Sequence, residues 1–558
     1  MRNILRSIGI LWLFSMLTGC FNSSAPEEVV LVDRKEEVPM VVSEQIHELL
    51  SYMSNRDGYL KDSVLLSEHL LMQQFYERNG YHPIWSEGDQ WKPAGDSLFV
   101  AISQAKSYGL FPSDYHHTQL LEIRNKIILD AMSRKNAALW ARADLLLTDA
   151  CWKMAHHLKY GHLNRDSITI RKDSVFTEEE KLNLLGSLHR SGQVQTMLTR
   201  LEPKHKGYQD LKKALAVFLK KANFQPVEQI QYPATDSMAF VQVVAKKLKS
   251  MGFLDSSWVA GDDSLVYAKA VKQFQASKGI VTTGFVAQLT VASLNTTDWD
   301  YFTTIALNLD RYRQLPDTMP ETYVWVNLPA YQLEVMDYDT VALQSKIVVG
   351  TPKTPTPVLN SSITNFITYP QWTVPYSIIF KEMLPKIRKD IQYLAKENLM
   401  VVDRYDSVIA PETIDWNKVT KNSFPYLLRQ RQGDDNSLGV MKFNFRNKYS
   451  VYLHDTNARG LFSRDNRALS HGCVRVQKWE DLSHFLVRNN EIRYHRDTIR
   501  ALILRQEKKT ISDFPQVPIY IRYITAAGVD GEIRFFPDIY EEDKHLKERY
   551  FASKLNNP

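Results

Sequence analysis

The 558-residue chain has only three cysteines, Cys20, Cys151 and Cys473, and no Cys-x-x-Cys pair. So sparse and odd a count excludes a disulfide-stapled scaffold, and the missing pair excludes the common structural zinc patterns. No segment reaches the roughly eighteen consecutive apolar residues from which a membrane-spanning helix is read. Charge of one sign is lacking too. Lys and Arg number 69 against 63 Asp and Glu, a net +6, and no Lys/Arg-rich block occurs. That balance gives no ground for a nucleic-acid partner. What is present is ordinary globular material, 44% hydrophobic and 24% charged. At roughly 150 residues per domain the length predicts three or four folded units.

The N-terminus places Arg2 and Arg6 ahead of the apolar run Ile8–Leu17, the charge-then-apolar layout of a secretory signal. As a helix that run spans about 15 Å, half of a hydrocarbon core of roughly 30 Å. It ends in Leu17-Thr18-Gly19-Cys20, which resembles the lipobox of bacterial lipoproteins. The resemblance implies a signal peptide over 1–19, cleavage before Cys20 and acylation of its thiol. The alternative is an ordinary signal peptide with a coincidental cysteine. Residues 20–44 are then expected to be a tether, with two or three acyl chains giving stable anchoring. The expected location is the cell envelope, lipid-anchored on the periplasmic side. Phe21 in place of an aspartate tilts the expectation toward the outer membrane.

The pattern along the chain predicts a multidomain α+β protein. Residues 45–220 carry apolar residues at helical spacing, as in Ser67–Tyr76 and Ala143–Leu147, and read as a helical scaffold. Cys151 falls in one such helix, where a small apolar thiol is expected to pack in a core. The neighbouring His156 and His157 read as surface or packing residues. Residues 237–295 form three amphipathic segments punctuated by Gly252, Gly279 and Gly284, a compact helical module. From 300 to 505 the texture becomes β-rich, with alternating runs at Tyr323–Leu328, Gln332–Asp337, Ser345–Val349 and Lys448–His454. Within it, 378–437 turns helical and charged, an insertion expected to cap the site. The segment 506–558 carries no functional reading.

The chemistry concentrates between His454 and Arg475, in HDTNARGLFSRDNRALSHGCVR. A cysteine thiol near pKa 8.5 needs a base or a positive field to act as a nucleophile. Cys473 has His471 two residues before it, Arg475 two after it and His454 nineteen before it. If residues 473–476 are extended, Cys473 and Arg475 share one face while Val474 and Val476 point into the core. Tyr449, Val451 and Leu453 would likewise face inward, leaving Tyr452 and His454 on the other side. Gly472 permits a sharp turn that frees N–H groups for a developing oxyanion. Three ligands from His, His and Cys would be an alternative zinc reading.

The motif H-D-T…S-H-G-C-V-R resembles the signature of the YkuD-type L,D-transpeptidases, the cysteine enzymes that cross-link peptidoglycan. FYERNGYHPIW, SYGLFPSDYH, NLDRYR, VNLPAYQLEV, VVGTPKTPTPV and YPQWTVPYSI resemble the large multidomain subfamily over roughly 45–505. The module at 237–295 resembles a peptidoglycan-binding domain through Ala270, Val271, Phe274, Gln275, Gly279, Gly284 and Leu294; it would bind the wall or act as a spacer. The resemblance implies Cys473 as nucleophile and His454 as general base, its ring oriented through the Asp455 carbonyl. Ser470, His471 and Gly472 would shape the loop, with amides around Gly472 and Cys473 as the oxyanion hole. Arg475 would hold the loop or a substrate carboxylate. The implied reaction makes 3→3 cross-links through a thioester, with release of D-alanine from a tetrapeptide donor. It requires no metal or organic cofactor. The implied partners are stem peptides and glycan, with carbapenem-type inhibitors acylating Cys473. Hydrolysis of the same thioester by a carboxypeptidase or endopeptidase, and a non-catalytic wall-binding lipoprotein, remain the alternatives.

Overall fold

The computed structural model describes residues 29–163, 176–234, 237–278 and 280–554. The expected signal peptide, the lipidation site Cys20 and the turn at Gly279 lie outside them. The chain divides into two compact units, one comprising residues up to 103, 114–154 and 176–197, the other 104–113, 155–175 and 198 onward.

The first unit is helical apart from a short ribbon of β1 (Ser86–Glu87) and β2 (Gln90–Trp91). Its first helix, Val38–Ser54, buries Val38, Val42, Ile46 and Leu50, a four-residue spacing that forms one stripe. Of the tether expected over 20–44, residues 20–28 lie outside the described residues, and the remainder is corrected. The Val30 N–H donates to Asn136 Oδ1 (2.9 Å) and its carbonyl accepts from the Ala137 N–H (2.8 Å), so the chain is already packed there. Asp144 holds the HPIW segment in place. Its buried carboxylate accepts the N–H groups of Ile84 and Trp85 and the Tyr76 hydroxyl. Burial pushes Asp144 up to about 6 against those donors. Cys151 is fully buried, as expected, and burial pushes its thiol up to about 12.

In the second unit the helices Ser237–Ser250, Ser264–Ser277 and Gln288–Asn295 enclose a small core of Val244, Leu248, Val271, Phe274 and Leu294. Gln275 is buried and consumed structurally. Its amide donates to Thr283 Oγ1, the Phe285 carbonyl and Thr290 Oγ1, and its carbonyl accepts the Gly284 N–H. Much of the module's sequence signature is thus packing. The helix Asp298–Arg313, opened by a Thr297/Asp300 capping box, and the helix Lys206–Leu219 pack on Tyr323, Trp325 and Tyr520 of the sheet.

That sheet begins with β3 (Thr322–Asn327), β4 (Gln332–Asp337), β5 (Thr340–Gly350) and β6 (Leu359–Thr368). The insertion follows, with β7 (Trp372–Thr373), β8 (Leu399–Val402), β9 (Val408–Ile409) and β10 (Leu427–Gln430). The sheet then resumes with β11 (Met441–Phe445), β12 (Leu453–His454), β13 (Ala468–Ser470), β14 (Val474–Val476), β15 (Lys509–Ile511) and β16 (Val517–Arg522). The pairing order β11-β12-β14-β5-β4-β3-β16-β6 closes on itself, because β6 also pairs with β11. The result is a barrel, filled by residues such as Val326, Val349, Phe366, Phe443, Leu453 and Val474.

Three expectations change here. The insertion, expected to be helical over 378–437, is a mixed subdomain. Its own sheet β7-β10-β8-β9 and its helices close over a core of Ile379, Leu384, Val401, Trp416 and Leu428. It starts with β7 at Trp372. The β-rich domain does not end at 505. β16 lies inside the barrel, parallel to β3 and antiparallel to β6, with Ile519 and Ile521 fully buried. Finally, the run 448–454 is not one strand. Only Leu453–His454 pairs, and Tyr449 is exposed rather than core-facing, because Ser450 turns the chain at φ +57°.

Candidate active site

Barrel register assembles the site. His454 on β12 pairs with Lys442 on the antiparallel β11 and with Arg475 on the parallel β14. One residue pair along, the Val474 N–H donates to the Tyr452 carbonyl (3.1 Å), which sets Tyr452 beside Cys473. Because side chains alternate, Lys442, Tyr452, His454, Cys473 and Arg475 share the outer face. Val451, Leu453, Val474 and Val476 are buried in the core beneath. The inward and outward assignments made from spacing hold for these residues. The Tyr452 and His454 rings meet edge to face at 5.7 Å.

His454 is buried, and its charged form is disfavoured down to about 3. Burial is the largest cause, then the cation Arg475, with Lys442 adding to both. The backbone carbonyls of Asp455 and Leu438 favour protonation but are outweighed. The Asp455 side chain is not aimed at the ring. Its Oδ2 accepts the Val440 N–H (3.1 Å) and pairs with Arg459 (2.9 Å).

Burial also pushes the Cys473 thiol up; the Tyr452 backbone and hydroxyl, Lys442 and Arg475 pull it down and lose. Both shifts favour the uncharged forms, thiol and imidazole. The thiol reaches the Ser450 carbonyl at 3.9 Å, and among the described residues no hydrogen bond joins it to His454.

Gly472 has φ +117°, a region that side-chain-bearing residues rarely adopt. The loop does free a backbone donor, but not at both expected places. The Gly472 N–H is taken by Ser470 Oγ (3.2 Å), whose own hydroxyl donates to the Cys473 carbonyl (2.7 Å). The Cys473 N–H has no partner among the described residues, so of the two expected donors it is the one left without a bond. His471 is exposed and reaches the insertion. Its Nε2 meets Glu382 Oε1 at 2.8 Å, on the π-helical turn Ile379–Met383 of the insertion. The insertion thus touches the loop that carries Cys473.

Arg475 and Lys442 are half-buried cations with no acidic partner among the described residues. Arg475 Nε is buried without a hydrogen bond, and burial lowers both cations from their usual values. Lys442 sits 4.0 Å over the Tyr452 ring. Sequence reading missed Lys442. Its signal was only an outward position between the inward Met441 and Phe443, and nothing local links that position to His454. The arrangement can deliver a thiol, a proton acceptor, one oxyanion donor and two cations to a carboxylate-bearing acyl donor. No group of three His, Cys, Asp or Glu side chains able to hold a metal occurs among the described residues.

Residues 321–492 match the model of the L,D-transpeptidase catalytic domain, YkuD, and residues 71–215 match that of a scaffold domain. A putative L,D-transpeptidase of Haemophilus influenzae is 36% identical over 243 residues. That alignment covers 43% of this chain and 48% of the relative, so the chain spans about half the length of the curated relative it matches. Among solved structures, a mutant Enterococcus faecium L,D-transpeptidase is 14% identical, covering 38% of this chain and 52% of that one, with TM-score 0.19. An L,D-transpeptidase from Stackebrandtia nassauensis is 13% identical, covering 53% and 97%, with TM-score 0.16.

Proposed function

We propose that the chain is a peptidoglycan L,D-transpeptidase with Cys473 as nucleophile and His454 as proton carrier, a reading supported by the match of residues 321–492 to the YkuD-type L,D-transpeptidase catalytic domain. The observation that carries this reading is the register that sets His454 between Lys442 and Arg475, cations with no acidic partner among the described residues, on the face that also carries Cys473.

The neutral pair defines the chemistry. A donor carbonyl docks with its oxygen toward the Cys473 N–H. The thiol turns from the Ser450 carbonyl toward His454, and its proton passes to the imidazole as the S–C bond forms. Negative charge appears on the oxygen at that moment, and a single oxyanion donor contributes about 10²–10³-fold. The imidazolium, costly in the resting site, is offset by that charge and by delivery of its proton to the leaving D-alanine amine. A thioester remains on Cys473. The side-chain amine of a second stem peptide then attacks it, gives its proton to His454, and restores the thiol with a 3→3 cross-link. Arg475 and Lys442 suit the carboxylates of the donor stem, and the Glu382–His471 contact suits a cap that closes over a bound strand.

Chromatography of products from a defined disaccharide-tetrapeptide, with and without an amine acceptor, tests the reading. Expected are D-alanine release and 3→3 dimer only with acceptor, and neither from Cys473→Ala. Product unchanged in Cys473→Ala sinks the nucleophile. Free tripeptide as the dominant product despite acceptor means that water is the true acceptor.

A further inference from the structure

The segment after the catalytic-domain match reaches the back of the catalytic loop. There the Tyr540 hydroxyl donates to the Gly350 carbonyl (2.8 Å) and accepts the Thr356 N–H (3.2 Å), so one group ties both ends of the 350–356 turn. The turn is tight enough that a Cβ on Gly350 would lie 2.1 Å from the Thr354 carbonyl oxygen. Thr356 Oγ1 accepts the Gly350 N–H (2.9 Å) and donates to the Gly472 carbonyl (2.8 Å). The Thr351 N–H (2.9 Å) and Thr354 hydroxyl (3.2 Å) both donate to the Ser470 carbonyl. The catalytic loop is thus hung by its carbonyls from this turn.

Peptide planarity gives the consequence. In a trans peptide the C=O and the following N–H point in opposite directions. Holding the Gly472 carbonyl on Thr356 therefore aims the Cys473 N–H the other way, toward the thiol face. The peptide between Gly472 and Cys473 makes no other hydrogen bond among the described residues, and Gly472, with no side chain, leaves its own φ permissive.

Tyr540 is itself referenced to the barrel. Its N–H donates to the Tyr523 hydroxyl (2.8 Å), that hydroxyl donates to Asp538 (2.6 Å), and the two rings lie 5.7 Å apart at 30°. Tyr523 directly follows β16 in the barrel wall.

We propose that Tyr540 is a positioning residue for acyl transfer, acting through Thr356 and Gly472 to orient the Cys473 N–H as oxyanion donor. This rests on the acyl-transfer reading of Cys473 and gives the C-terminal segment a function in that reaction. Tyr540 touches no reacting atom. Its loss mis-aims a donor rather than removing one, so the expected effect lies below the full loss of an oxyanion contact.

The test compares two reactions of the same thiol in the full chain. Acylation by p-nitrophenyl acetate passes through an oxyanion, whereas alkylation by iodoacetamide develops no charge at the Cys473 N–H. Tyr540→Phe is expected to slow the acylation burst by about 10- to 100-fold while alkylation stays within about twofold. Thr356→Ser, which keeps both hydrogen-bonding groups, should acylate at the wild-type rate, and Thr356→Val should slow like Tyr540→Phe. The Thr356 pair decides the matter if Tyr540→Phe fails to fold. Equal acylation in wild type and Tyr540→Phe, or parallel loss of both reactions in variants that remain folded, overturns the role of Tyr540 alone. A wild-type protein that shows no burst at all takes down the acyl-transfer reading, and this proposal with it.

Discussion

Replacing Arg475 with Met removes the largest single charge acting on His454 and keeps a long side chain on β14. Arg475 and His454 are registered partners on neighbouring strands, whose axes lie about 4.8 Å apart. Extending the guanidinium past the ring puts the charges about 7 Å apart, worth about 2.4 kcal/mol at an effective dielectric of 20. Removing a cation favours the imidazolium, so His454 should titrate higher, by about 1.7 pH units at 1.36 kcal/mol each. It would move from about 3 to between roughly 4.5 and 5. It would not reach the unperturbed value near 6.5, because burial is the larger cause and is untouched.

The same shift enters stability. With a folded value below the unfolded one, His454 contributes stability that is complete above about pH 6.5 and lost as pH falls toward 3, up to about 5 kcal/mol. The variant should lose roughly half as much over that span. Side-chain NMR of ¹³C-labelled histidine, with His454 assigned by comparison with His454→Gln, reads the titration directly. Urea unfolding between pH 7 and 4 reads the linkage. A wild-type ring titrating near 6.5, or an Arg475→Met ring moving by less than about 0.3 unit, refutes the electrostatic account.

Two further outcomes follow from burial. Native protein treated with iodoacetamide at pH 8 should be modified at Cys473 and not at Cys151, whose thiol is fully buried and pushed up to about 12; peptide mapping that finds Cys151 alkylated without denaturant contradicts its packing. Truncation after residue 505 should abolish a folded catalytic domain, because it removes β15 and β16. Val517, Ile519 and Ile521 are buried, and at about 1.5–3 kcal/mol each their loss is of the order of a whole domain's stability. A soluble, cooperatively melting 1–505 fragment would contradict the barrel topology.

Much of this site was legible because its parts are close in sequence. Ser470 to Arg475 is one loop and one short strand, and residue alternation alone separates Cys473 and Arg475 from Val474 and Val476. The helical scaffold, the three-helix module and the β texture of the third region follow from periodicity, which is a local property. The burial of Cys151 followed from helical context in the same way.

What sequence could not supply were relations between distant residues. Lys442 reads as one outward residue among many until β11 pairs with β12 and sets it against His454. The same register sets two cations beside His454, which together with burial disfavour its charged form, and no local spacing shows that. The insertion looked helical because its charged helices have strong periodicity, while its two- to four-residue strands have almost none. Tyr540 and β16 looked like an unassigned tail because nothing in a short β-branched run says which strands it lies between. Local spacing determined which residues carry the chemistry. The closed barrel alone decided which charges surround them, which N–H group is left free, and that the segment after 505 completes the barrel.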